Sequence, residues 1–146
     1  MKEQKNILFI FLLLFFFGNT YGQTTNIQLS IQNIRGTDGQ LVIGLFDSAE
    51  DFKAKANPYQ AAKVKIADST VLFTFSSIPN GNYAIAVFHD ENSDGRVNTG
   101  SMKIPLEGVG ISGKMHKMRA PKFEDAVFRL ENDTSMIILL MYPSQK

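Results

Sequence analysis

The chain's densest collection of oxygen-bearing side chains is "HDENSDGRVNTGS", residues 89–101. Within it Asp90, Asn92, Asp94, Gly95 and Asn98 take the first, third, fifth, sixth and ninth places of a calcium loop. The spacing has a mechanism. Alternate side chains converge as the backbone curls, a glycine at the sixth place permits the sharp turn, and the carbonyl of Arg96 supplies the ligand at the seventh place. The twelfth place is Ser101, where a helix-flanked site carries a bidentate glutamate, and a strand pattern leads into the loop. Glu107 is the carboxylate that would fold back to replace it. The expected ligand set is therefore Asp90, Asn92, Asp94, Arg96, Asn98 and Glu107, with weak affinity because so few carboxylates contribute. A simpler reading competes with it: an Asx-rich turn whose carboxylates and amides bond their own backbone, with no ion needed.

A second grouping involves imidazole. His89 stands immediately before the loop, His116 lies beyond it, and Glu107 and Asp125 complete the residue types of a metal-dependent hydrolase built on His89, Glu107 and Asp125. No tight ligand spacing such as H-E-x-x-H accompanies them, and the simpler role for His89 is to close a strand end by bonding loop backbone. Nucleophilic catalysis has less support. The chain has no cysteine, and Ser112 in "GVGISG" has Gly110 two residues before it but Lys114 two residues after, which breaks the G-x-S-x-G elbow. The glycines of "IPLEGVGISG" are followed by no Lys-Ser or Lys-Thr in phosphate-loop register.

The compartment follows from the first residues, "MKEQKNILFIFLLLFFFGNTYGQ". Lys2 and Lys5 precede an apolar run of 11 residues from Ile7 to Phe17, and small and polar residues follow. A membrane-crossing helix needs about 20 residues, so the pattern predicts a secretory signal peptide over residues 1–22, cleaved near Gly22–Gln23. Residues 23–146 are then one exported domain, periplasmic or secreted, with no transmembrane segment. Without cysteine that domain has neither a lipid-bearing residue nor a disulfide, and it must be held by packing. The whole chain carries a formal charge of +1, and loss of Lys2, Lys5 and Glu3 leaves the domain balanced. Balance argues against nucleic acid as a partner. The one basic cluster, Lys114, Lys117, Arg119 and Lys122, lacks interleaved aromatic residues and reads as a solvated loop face.

Strands must position these residues. Ile27, Leu29 and Ile31 alternate with polar residues, "RGTDGQ" supplies a turn, and "LVIGLF" at 41–46 follows, a pattern that predicts a β-hairpin. Ser48, three residues before Asp51, opens a short helix over about 48–55 that Pro58 ends. Strands are predicted again at 63–68, 70–78, 83–90, near 125–132 and near 135–142. In "YAIAVFHD" Tyr83, Ile85 and Val87 share one face and Ala84, Ala86 and Phe88 the other, the pattern of a central strand buried on both faces. The core is expected from Ile31, Leu41, Ile43, Leu72, Phe73, Phe75, Tyr83, Ile85, Val87, Phe128, Ile137 and Leu139. The fold class is all-β: a seven-stranded antiparallel Greek-key sandwich, immunoglobulin-like or prealbumin-like, with one short helix and a long loop near 90–122. In such sandwiches a tyrosine two residues after a Pro-Gly turn, here Tyr83, fills a corner.

The ordered segments "IPNGNYAIAVFHDENSDGRVNTG", "IPLEGVGIS" and "APKFEDAVFRL" resemble the bacterial family catalogued as domain of unknown function 2141, from about Ile27 to Tyr142. The resemblance implies an exported single-domain sandwich in which His89, Asp90, Asp94, Glu107, Ser112 and Asp125 occupy recurrent positions. It departs from the family's usual pattern at Lys103, Val109 and Ile111, and the family's name carries no activity. The expected function is that of an exported, non-enzymatic binding or accessory protein whose loop contacts an unknown ligand or envelope partner. A metal-dependent hydrolase and a purely structural envelope protein are the alternatives.

Overall fold

The computed structural model describes residues 23–100, 104–116 and 119–143. The expected signal peptide, together with Ser101, Lys103 and Lys117, lies outside the described residues.

The chain runs β1 (Thr24–Gln32), β2 (Gln40–Phe46), α1 (Ala49–Ala54), β3 (Gln60–Lys65), β4 (Val71–Pro79), β5 (Gly81–Asp90), β6 (Val109–Ile111), α2 (Phe123–Ala126), β7 (Phe128–Leu130) and β8 (Thr134–Leu139). One sheet has the order β4-β1-β8 and the other β3-β2-β5-β6, with β7 also pairing with β5. The two sheets make an all-β sandwich, as the alternation predicts. Its main core lies between them: Ile27, Leu29 and Ile31 of β1 meet Leu41, Ile43, Ile85 and Val87. These residues are at most 2% exposed, and burying each such side chain contributes about 1.5–3 kcal/mol.

β5 is buried on both faces. Tyr83, Ile85 and Val87 enter the main core, whereas Ala84 and Ala86 sit under a second cluster of Phe46, Phe52, Ile111, Ala126 and Phe123. Those alanines let α1 and α2 lie close to the sheet. Phe52 meets both Phe46 and Phe123 edge-on, with ring centroids 5.5 and 5.9 Å apart. α1 begins at Ser48, whose Oγ accepts the Asp51 N–H at 3.1 Å, which is the cap expected from the sequence. Tyr83 fills its corner, its hydroxyl donating to the Pro79 carbonyl at 3.0 Å.

Four expectations are corrected. β1 and β2 are not a hairpin: β1 pairs with β4 and β8, and β2 with β3 and β5. The linker carries Asn33, Gly36 and Gly39 at positive φ, and this lets the chain cross from one sheet to the other instead of folding back. Among the described residues there are eight strands rather than seven, and the β1–β8 pairing is parallel. The region 90–122 is not all loop, since β6 falls inside it, and Phe123–Ala126 is helical where a strand was expected from 125. Leu72, Ile137 and Leu139 face outward, at 77%, 63% and 58% exposure. In "SMIILLM" every residue from 136 to 141 is apolar, so alternation cannot choose the face, and Ile138 and Leu140 occupy the core instead.

Candidate functional site

At one end of the β2–β5 pair, the linker after β1, the loop after β5 and the residues before β6 come together. Two fully formed carboxylate clamps set the backbone there. Asp90, the last residue of β5, is 0% exposed. Its Oδ1 accepts the Asp94 N–H and its Oδ2 the Gly95 N–H, both at 3.0 Å, while Gln40 Nε2, directly across the β2–β5 ladder, donates to Oδ2 at 3.0 Å. Glu107, 4% exposed, spans the loop: Oε1 accepts the Glu91 N–H at 3.1 Å and Oε2 the Asn98 N–H at 2.9 Å. Burying an ionised carboxylate is costly unless charge-assisted hydrogen bonds replace water, and four backbone donors do so here. Gly95 adopts φ +77°, the turn that the spacing called for.

The outer rim of the loop is exposed. Asn92 Oδ1 accepts the Asp94 N–H at 3.1 Å, Asn92 Nδ2 donates to Asp94 Oδ2 at 3.0 Å, and Asp94 Oδ1 accepts the Arg96 N–H at 2.8 Å. The Arg96 N–H, and then the Asn92 amide, hold the Asp94 carboxyl below the usual carboxylate range. Asp90, Asn92 and Asp94 thus bond within one tight turn, and Glu107, whose position no spacing fixed, folds back onto it through the Glu91 and Asn98 amides. Each carboxylate of the set already accepts backbone N–H groups.

His89 closes the same end from beneath. Its Nε2 lies 2.8 Å from the Asp38 carbonyl, which can only accept, so in the neutral ring Nε2 carries the proton. Nδ1 then accepts the hydroxyl of Tyr142 at 2.7 Å, and Tyr142 Oη in turn accepts the Arg35 N–H at 3.0 Å. The Arg35 guanidinium sits 4.6 Å from the centre of the Tyr142 ring, and burial pushes the Tyr142 phenol up. Two glycines make this packing fit. A Cβ on Gly39 would fall 2.0 Å from the Asp90 carbonyl, and one on Gly108 would fall 2.4 Å from the Tyr142 ring.

His89, Glu107 and Asp125 are engaged separately. Both ring nitrogens of His89 and both oxygens of Glu107 have the partners just given. Asp125, at α2, is bound by both terminal nitrogens of Arg119, by the Lys122 N–H at 2.8 Å and by His116 Nε2 at 3.3 Å. The Arg119 hydrogen bond, followed by the Lys122 N–H, drives its carboxyl far below the usual range. Among the described residues no group of three or more His, Asp and Glu side chains is placed to hold a metal ion. Ser112 donates to the Ala126 carbonyl and accepts the Ile85 N–H at 2.8 Å, so its hydroxyl joins β5 to α2.

Sequence reasoning found the loop and missed its supports: Gln40, Gly39, Arg35 and Tyr142. No local spacing marks them, because Tyr142 lies 53 residues from His89 and Gln40 lies 50 from Asp90. Only the strand register brings them together.

A family model described as an uncharacterized protein conserved in bacteria, DUF2141, matches residues 29–138. The chain belongs to that family. No curated protein and no solved structure matches it.

Proposed function

We propose that this member of the DUF2141 family is an exported, non-enzymatic binding or accessory module whose preformed loop 90–98 takes up calcium weakly. The observation that carries the reading is the pair of buried carboxylates. Asp90 and Glu107 fix the loop backbone through four N–H groups, so the loop needs no ligand to take its shape. A rigid loop that leaves Glu91, Asn92 and Asp94 exposed at its rim is suited to recognition. The engaged nitrogens of His89 favour it over hydrolysis. What favours calcium is the closeness of two carboxylates: the Asp94 N–H bonds Asp90 Oδ1, which sets both side chains in one tight turn, and a divalent cation would relieve their repulsion.

Thermal melting of the purified protein with and without calcium tests this. A ligand bound only by the folded state at ten times its dissociation constant adds about 1.4 kcal/mol, roughly 4–6 °C for a domain of this size. Asp94→Asn is expected to abolish the shift and Glu91→Gln to keep it. An unchanged melting curve in millimolar calcium at modest salt rules out the ion. Calorimetry against a panel of glycans then tests the loop as a binding surface for other ligands.

A further inference from the structure

We propose that β4 is a self-pairing edge, through which two copies of the chain join antiparallel about a two-fold axis at Thr74. β4 ends its sheet, and β1 is its only strand neighbour among the described residues. One side of β4 bonds to β1. In an antiparallel ladder the alternate N–H and C=O groups on the other side then point away from the sheet without a strand partner.

The other edges differ. β3, which ends the second sheet, carries Lys63 and Lys65, both exposed, and lysine on an edge strand discourages pairing. The far edge of the β4-β1-β8 sheet is tied to β6 only past the end of β8, where Val109 and Met141 exchange hydrogen bonds of 3.0 and 2.8 Å, and its Thr134–Leu139 stretch lacks the Phe-Thr-Phe order of β4. β4 has neither device over residues 71–75, its one irregularity being the bulge at Ser76 and Ser77 opposite Asn26. From Val71 to Ile78 it has no charged residue and no proline, and its outward residues Leu72, Thr74 and Ser76 are all exposed.

The occupant follows from the order of side chains. A two-fold axis at Thr74 sets Thr74 opposite its own copy, Phe73 opposite Phe75, and Leu72 opposite Ser76. Thr–Thr and aromatic cross-strand pairs are among the favourable ones. Phe73, half-buried and edge-on to Phe75 at 4.9 Å, would gain cover from the copy's Phe75. With no charge on the edge, two copies meet without repulsion, and the Phe73-Thr74-Phe75 order is its own complement in an antiparallel pair. Positive φ at Ser77 bends the strand away after Ser76, which limits the paired segment to 71–76. So short an interface, held mainly by main-chain hydrogen bonds, makes the dimer dependent on concentration.

Sedimentation velocity on the purified protein over a hundredfold range of concentration tests the proposal. The expected result is a twofold rise in mass toward high concentration, absent in Thr74→Lys and in Thr74→Glu, since like charges then face each other on the axis. Mixing the two variants restores the dimer. Ser135→Lys, exposed on β8 of the same sheet, leaves it intact. A monomer at every concentration overturns the proposal, as does a dimer that survives Thr74→Lys or disappears in Ser135→Lys.

Discussion

Replacing Glu107 by glutamine tests whether the buried carboxylate builds the loop. The side chain keeps its size, but one of its two acceptors becomes an NH2 group facing an N–H donor. Either the Glu91 or the Asn98 amide then loses its partner, bonds that measure 3.1 and 2.9 Å in the folded chain. A hydrogen bond to a charged group is worth about 1.5–3 kcal/mol, and a stranded buried donor costs about 1–3 kcal/mol. Relief from burying the charge offsets part of this, leaving an expected loss of about 2–4 kcal/mol. For a domain of roughly 120 residues that lowers the melting temperature by about 8–16 °C. Hydrogen exchange locates the effect, with faster exchange at the amides of Glu91 and Asn98 while those of β1 keep their order. Glu124→Gln, exposed on α2, is the control and should stay within about 0.5 kcal/mol of the parent. If Glu107→Gln melts with this control and both amides remain protected, the loop is shaped by something else and the clamp reasoning is wrong.

Two further outcomes follow from the geometry. Gly108→Ala places a methyl group 2.4 Å from the Tyr142 ring, which must move and release His89 Nδ1; denaturant unfolding should register a loss of about 1–3 kcal/mol. Asp125 is held below the ordinary carboxylate range by Arg119 and the Lys122 N–H, so its contribution to stability is present above the unfolded value of 3.8 and is lost as pH falls below it. Arg119→Gln should therefore flatten the acid limb of stability measured between pH 6 and pH 3, and an unchanged limb refutes the pairing.

Residues that act locally were legible in the sequence. Ser48 and Asp51 mark a helix start because a cap is a contact across three residues, and Asp90, Asn92, Asp94 and Gly95 mark a tight loop because its bonds close within five. β5 was legible as a central strand because both of its faces are apolar. Sheet membership was not. β1 and β2 have the turn chemistry of a hairpin, and only the positive φ values of Asn33, Gly36 and Gly39, together with competition from β4 and β8, send them to different sheets. Orientation also failed in β8, where a continuous apolar run erases the period of two. His89 was read correctly as bonding loop backbone, but Tyr142, its other partner, contributes through register alone.

The parallel pairing of β1 with β8 has a consequence in time. Asn26 bonds Asp133, and Arg35 bonds Tyr142, each across 107 residues of chain. A ribosome releases the first strand long before the last, and until Thr134–Leu139 arrives β1 lacks one of its two neighbours. Loop closure over such separations is slow, and it comes late in any order of assembly. A nascent chain of this topology thus stays open until β8 has been made, and a chain lacking residues 137–140 loses half of β8 together with the buried Ile138 and Leu140, which the core between the sheets requires.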